Sequence, residues 1–245
     1  MAQWVFQGDL WLMQTNAGDD PIQMRLIPQS SYLRARWKNG LGHTDQIAIF
    51  PENADLRRGD FLFRLSTARI EQSSPFSEFP NHDRTLTILN GEGIRMIHSV
   101  DSPDDQVEEI PRMNPYEFPG DIPSRCELLG KSVQDLSLFI RKGECEASTE
   151  VFVLEPNQEM EVSCPILPGT QFWGYVIPVA RGSDASPLVC QRGDQQLQVG
   201  SGDSVEVRDS GEPPESFESD PPTLKVCNSS DQTIEWIWVT VQAVR

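Results

Sequence analysis

Two arginines, a glycine-bearing polar segment and a short aromatic loop are the residues best equipped to do chemistry. Arg64 lies in residues 61–68, FLFRLSTA. Side chains alternate along an extended strand, so Phe61, Phe63, Leu65 and Thr67 share one face while Leu62, Arg64, Ser66 and Ala68 share the other. Arg64 and Ser66 then meet either bulk solvent or the inside of a β structure. In a dry interior a guanidinium needs an anionic or strongly accepting partner, and its planar donor fork matches a carboxylate. Arg84 opens a second stretch, 84–89, aligned with Leu86 and Ile88. Its neighbour Asp83 points the other way in a regular strand, so Arg84 either anchors a loop or joins Arg64 at a ligand. Pro75-Phe76-Ser77, ahead of Phe79-Pro80, reads as a loop brought across a strand end, with Phe76 placed to close an apolar pocket. The segment Trp37-Lys38-Asn39-Gly40-Leu41-Gly42-His43-Thr44 adds an aromatic anchor, polar groups and two glycines. Glycine permits close backbone approach, so this segment either lines a ligand with Lys38 and Asn39 or simply turns the chain between two strands.

Other chemistries find little support. His43, His82 and His98 are the three histidines, with no HxH pair, and a metal site needs convergent lone pairs. His82 beside Asp83 reads as a hydrogen-bonded surface pair. There is no GxSxG elbow, and an isolated Ser66 or Ser77 is not a triad. The five cysteines, Cys126, Cys145, Cys164, Cys190 and Cys227, contain no CxxC and read mostly as small buried apolar residues of a reduced protein.

The elements that must hold these residues are strands. Beyond 61–68 and 84–89, residues 135–140 align Leu136, Leu138 and Ile140. Further candidates are 150–154, 161–163, 172–179, 195–199, 204–207, 224–227 and 234–241. Turn signals separate them, including Asn39-Gly40, Asn90-Gly91 and Arg192-Gly193-Asp194. No long amphipathic helix is evident, which points to an antiparallel barrel or jelly-roll sandwich. The 245 residues suit one large β domain or two smaller ones, and a boundary near Gly143 divides them into 1–143 and 144–245.

Composition limits the partners. The formal charge is -17, yet residues 101–109 and 209–222 carry ten acids without a base and read as solvated loop insertions. The rest of the chain is therefore formally -7. No cationic face for nucleic acid, no helix-turn-helix and no apolar run of membrane-spanning length is seen. The first residues lack a basic n-region and cleavage site, so a cytoplasmic location is expected.

The ordered blocks of the first half resemble the HutD/Ves family of two-cupin proteins. They start at Trp37-Lys38-Asn39-Gly40-Leu41-Gly42-His43-Thr44 and continue through Phe63-Arg64-Leu65-Ser66-Thr67-Ala68. Pro75-Phe76-Ser77-Glu78-Phe79-Pro80, Asp83-Arg84 and Gly91-Glu92-Gly93 follow, then Pro115, Gly120-Asp121 and Cys126-Glu127-Leu128-Leu129-Gly130 run into residues 133–139. The family usually has an extra glycine at Leu41 and often an asparagine at Ser137, and the acidic tracts and first 20 residues look like additions. The resemblance implies an all-β bicupin, two packed small β-barrel or jelly-roll units, without the usual cupin metal ligands. It implies a regulatory protein that senses or sequesters a carboxylate intermediate of histidine utilisation, such as urocanate or N-formylglutamate; Ves relatives are linked more loosely to stress responses. On that basis Arg64 becomes the central ligand residue, with Lys38, Asn39, Ser66, Phe76 and Arg84 lining or supporting it. No cofactor is expected; the partner is a small carboxylate or imidazole-derived metabolite, with a protein partner or a homo-oligomer also open. The competing readings are a cupin-type enzyme (an isomerase or metal-dependent oxygenase) and a noncatalytic protein-interaction module.

Overall fold

The computed structural model describes residues 3–7, 10–14, 22–37, 42–99, 106–167, 169–179, 187–209 and 221–244. Among them the chain is all-β apart from one 3-10 turn, Gln29–Ser31, and the strands fall into five antiparallel sheets. No helix among the described residues is long and apolar enough to cross a membrane. A hairpin of β1 (Gln3–Gln7) and β2 (Leu10–Gln14) stands apart as a two-stranded sheet.

Four of the sheets make two sandwiches. In the first, a six-stranded sheet runs in the order β11 (Tyr116–Pro119), β8 (His82–Asn90), β13 (Val133–Arg141), β6 (Phe63–Ile70), β5 (Gly42–Phe50) and β4 (Leu33–Arg36). It faces a four-stranded sheet of β10 (Gln106–Ile110), β9 (Ile94–His98), β12 (Ser124–Leu128) and β7 (Ser74–Pro75). Leu86, Ile88 and Ile70 of the larger sheet meet Ile94, Met96 and Ile110 of the smaller in one core. In the second sandwich, β14 (Cys145–Leu154), β21 (Ile234–Val244), β16 (Thr170–Val179), β19 (Ser204–Asp209) and β3 (Ile22–Ile27) face β15 (Glu159–Ser163), β20 (Thr223–Asn228), β17 (Leu188–Arg192) and β18 (Gln195–Val199). The strand β3 thus comes from the beginning of the chain to close the edge of a sheet built by its end, paired with β19 from Ser204↔Ile27 to Asp209↔Ile22.

The two large sheets pack on one another, which explains the burial of both faces of β6. Phe63 and Leu65, with Leu138 of β13, rest on Trp173, Tyr175, Ile237 and Val239 of the five-stranded sheet. The Phe63 ring lies 4.9 Å from Trp173 and 6.2 Å from Tyr175. Each large side chain buried here contributes roughly 1.5–3 kcal/mol. This joint commits the odd-numbered side of β6 to the partner sandwich and turns Arg64, Ser66 and Ala68 toward the interior of the first. The second sandwich is filled by its own apolar residues, among them Phe172, Trp236 and Trp238. Gly174 is obligatory there, because an added Cβ would lie 2.1 Å from the Trp238 ring.

Three sequence expectations need correction. The acidic 101–109 tract is not a loop throughout: residues 106–109 belong to β10, an edge strand fully paired with β9 and tied by an Arg95–Glu109 hydrogen bond of 2.8 Å. Exposed polar side chains suit a sheet edge, so acidity there does not oppose strand formation. In the 209–222 tract, Asp209 is the buried last residue of β19, and 210–220 lie outside the described residues. His82 is not a surface partner of Asp83. It is buried against the Phe61 ring at 4.2 Å, and its ring nitrogens contact the carbonyls of Pro80 and Phe61 at 2.9 and 3.1 Å.

Candidate functional site

Strand register assembles the site. Residues directly opposite in antiparallel neighbours share a face, and three rows cross the inward face of the six-stranded sheet. The first is Ile49, Arg64, Phe139, Arg84 and Phe118; the second is Gln46, Ser66, Ser137, Leu86 and Tyr116; the third is Thr44, Ala68, Asp135 and Ile88. Arg64 and Arg84 therefore project from strands on either side of β13, with their Cα atoms about 10 Å apart given the usual strand spacing. A register shift between Gln46 and Ala48 brings Gln46 opposite Ser66, beside Arg64.

Both guanidiniums are buried, Arg64 at 5% and Arg84 at 8% exposure. Arg64 Nε donates to Gln46 Oε1 at 3.0 Å, and among the described residues no hydrogen bond reaches its two terminal nitrogens. Arg84 donates from one terminal nitrogen to Ser137 Oγ at 2.8 Å, and that nitrogen lies 3.8 Å from Asp135 Oδ2. Its buried Nε has no partner. Three rings crowd the same head group: Phe76 at 4.2 Å from Cζ, Phe139 at 4.8 Å and Phe118 at 5.6 Å. Such contacts stabilise a cation while excluding water.

The electrostatics follow from burial. Loss of water pushes Arg64 down to about 10, with the neighbouring charge of Arg84 adding to the shift and Asp135 opposing it. Burial likewise takes Arg84 to about 10 against the pull of Asp135. Asp135, 2% exposed, is raised above the ordinary carboxylate range by burial, although Arg84 and its hydrogen bonds pull the other way. Its Oδ1 accepts from the Ala68 backbone N–H at 2.9 Å and its Oδ2 accepts from Ser137 Oγ at 3.1 Å. Two donors aimed at both oxygens suit the ionised form.

Of the six residues singled out in the sequence, the structure brings Arg64, Ser66, Phe76 and Arg84 into this one interior. Lys38 and Asn39 lie outside the described residues. The flanking Trp37 donates its backbone N–H to Gly42 O at 3.0 Å and its indole N–H to Thr44 Oγ1 at 2.9 Å. Gln46, Asp135 and Ser137 were not anticipated. The alternation Asp135-x-Ser137-x-Phe139 was the available signal, since it is the polar complement of the Leu136, Leu138 and Ile140 face.

The remaining titratable groups of this interior are neutral partners. Ser124 Oγ donates to Ile122 O at 2.9 Å, so it accepts from His98 Nδ1 at 2.8 Å, and Tyr116 OH then donates to His98 Nε2 at 3.0 Å. That network occupies both ring nitrogens, and burial lowers the His98 pKa. Burial raises the Cys126 thiol. Among the described residues no group of three or more His, Cys, Asp or Glu could hold a metal ion. A divalent cation beside Asp135 would also face two guanidiniums, so the donor set here does not fit the metal centre found in some cupin-type folds.

Two open clefts lie elsewhere. One of about 380 Å³ is on the outer sheet of the second sandwich, between Glu161, Gln191, Arg192 and Lys225. Another of about 270 Å³ is lined by Asp83, Thr85, Glu117 and Ile140 along with Arg84 and Phe118. Most of its walls are residues of the outward parity, so it opens on the outside of the sandwich.

Known proteins bear on both the fold and the sequence. By structure, a conserved protein of unknown function from Pseudomonas aeruginosa PAO1 is similar over 90% of this chain and 99% of its own, with a TM-score of 0.68 and 19% identity. HutD from Pseudomonas fluorescens SBW25 matches over 91% of this chain and 100% of its own, with a TM-score of 0.60 and 19% identity. Bacillus subtilis oxalate decarboxylase gives a TM-score of 0.57 at 9% identity, covering 96% of this chain and 86% of its own. These likenesses establish an all-β, cupin-related fold. By sequence, an uncharacterized 21.2 kDa protein in the hutC 3' region of Pseudomonas putida is 33% identical over 117 residues, 48% of this chain and 58% of its own. Protein Ves of Citrobacter koseri is 33% identical over 116 residues, 47% of this chain and 56% of its own. The match thus spans little more than half the length of these curated relatives. The HutD family model matches residues 29–205, a span that carries every strand of the arginine site, and the chain belongs to the HutD family.

Proposed function

We propose that the interior of the first sandwich binds a small carboxylate metabolite, and that the chain acts through this binding as a non-metal regulatory protein of histidine catabolism. One observation carries the reading: two guanidiniums are buried in one interior, the carboxylate of Asp135 lies beside the guanidinium of Arg84, whose Nε is left without a partner, and among the described residues no hydrogen bond reaches the terminal nitrogens of Arg64. Leaving such groups unmatched is costly, and a carboxylate supplies the missing charge and acceptors in the geometry a guanidinium prefers. Arg64 and Arg84 hold the anion, Ser66 and Gln46 flank it, and Phe76 covers the Arg84 end. Lys38 and Asn39, which lie outside the described residues, stay in the proposed ligand set on the resemblance alone. In this reading each sandwich closes as a small cupin barrel, and the first carries the pair of buried arginines.

The family context supports the same direction, since relatives carry names tied to the hut region, and one solved HutD was determined in a formate condition. Sensing or sequestering a pathway carboxylate requires a pocket of this kind and no covalent step.

Calorimetric titration with urocanate, N-formylglutamate, histidine, glutamate and formate tests the proposal. Saturable binding of at least one carboxylate is expected in the native chain and is lost in Arg64→Met and Arg84→Met. The absence of binding to all five, or binding unchanged in folded variants, would refute it.

A further inference from the structure

Resting on the anion-site reading above, we infer that Asp135 sets the charge the pocket accepts, so that it takes one carboxylate and rejects a compact dicarboxylate. Among the described residues three formal charges lie in this interior: Arg64, Arg84 and Asp135. Ser137 links Asp135 to Arg84, donating to the carboxylate and accepting from the guanidinium. Asp135 also takes the Ala68 N–H, so its position is fixed by two strands. One of the two cations is thereby answered, and Arg64 is left with Gln46, a neutral acceptor.

The residual charge is +1. A monocarboxylate brings the interior to neutrality, whereas a dianion held entirely inside leaves an uncompensated negative charge in a region that Phe76, Phe118 and Phe139 keep dry. Asp135 itself repels the second carboxylate. The closed polar network gives it no freedom to withdraw, since both of its oxygens are engaged. Selectivity by an introduced repulsion is the general route by which a site discriminates between ligands of similar size.

Propionate and malonate separate the two cases, because they differ by one carboxylate at nearly equal bulk. The full chain is titrated with each at neutral pH as native protein, Asp135→Asn, Arg64→Gln and the double variant. The native protein is expected to prefer propionate by about tenfold or more, a margin of ~1.4 kcal/mol. Asp135→Asn, now with two unanswered cations, shifts that ratio toward malonate by about tenfold or more. Arg64→Gln loses both ligands, and the double variant, with Arg84 alone, regains the preference for propionate. Malonate binding the native protein as well as propionate does overturns the inference while leaving the anion site standing. That result needs no variant to fold. An unchanged ratio in folded Asp135→Asn overturns it in the same way. Failure of every carboxylate to bind the native protein overturns the anion site itself.

Discussion

Arg64→Met separates a side chain kept for a ligand from one kept for the fold. Burial and the neighbouring charge of Arg84, against the pull of Asp135, take Arg64 down to about 10, which at roughly 1.4 kcal/mol per pH unit amounts to about 3.5 kcal/mol against the charged form. Removing the guanidinium recovers that cost, in which its repulsion with Arg84 is already included. Against this stands the loss of the Gln46 hydrogen bond of 3.0 Å, worth about 1.5–3 kcal/mol for a charged donor. Methionine retains much of the stem volume and adapts to irregular space. The net expectation is therefore a ligand-free protein as stable as the native one or more stable by up to about 2 kcal/mol. For a chain of this size 1 kcal/mol moves the midpoint by about 2–4 °C, so thermal unfolding followed by near-UV circular dichroism resolves the effect. The same variant should show no midpoint rise with a carboxylate that stabilises the native chain, where saturation at about 100 Kd adds ~2.7 kcal/mol. A loss of more than about 1 kcal/mol in the ligand-free variant would refute the reasoning, because Arg64 would then be a structural residue already satisfied by its surroundings.

Acidification tests Asp135. Its pKa is raised above the 3.8 of an exposed aspartate, so the folded state retains the proton to higher pH than the unfolded state. Stability from this group is greatest below the unfolded value and falls as pH climbs through the raised folded value. Asp135→Asn should flatten that slope in urea-unfolding series, and monocarboxylate affinity of the native chain should rise as Asp135 takes its proton. Phe76→Ala removes the ring 4.2 Å from Arg84 and is expected to cost about 0.5–2 kcal/mol of anion affinity, read by calorimetry. Gly174→Ala forces a Cβ to within 2.1 Å of Trp238. It should destabilise by about 1–3 kcal/mol or more in thermal melts while leaving anion affinity unchanged, since it lies in the second sandwich.

How much of this was legible beforehand depended on distance along the chain. The parity of β6 could be read directly, because Phe63, Arg64, Leu65 and Ser66 alternate without interruption. Whether Arg64 faced water or protein could not, since alternation describes two faces and does not say what covers each. The answer lies in β9 and β12, strands with no local signal pointing back to Arg64, and in the apolar joint between Phe63 and Trp173. Phe76 was placed as a cover from its loop context and stands against Arg84. Asp135 and Ser137 escaped notice because their strand was read for its leucines. Gln46 escaped because residues 42–50 were not among the strand candidates, and the bulge that sets its register has no reliable signature in a single sequence. The strand β3 was missed altogether, as its partner β19 lies some 180 residues later and its own burial pattern does not alternate cleanly.

That late partnership has a consequence for biosynthesis. Residues 22–27 leave the ribosome first among the second sandwich's strands and find their ladder only after Ser204–Asp209 has been made. Arg25 waits in the same way for Glu206, which it grips at 2.9 Å. Until then the segment has to be shielded from pairing elsewhere, for a lone strand edge recruits other chains. The finished protein is buckled by its beginning, and removal of those few residues would bare an edge at the far end of the polypeptide.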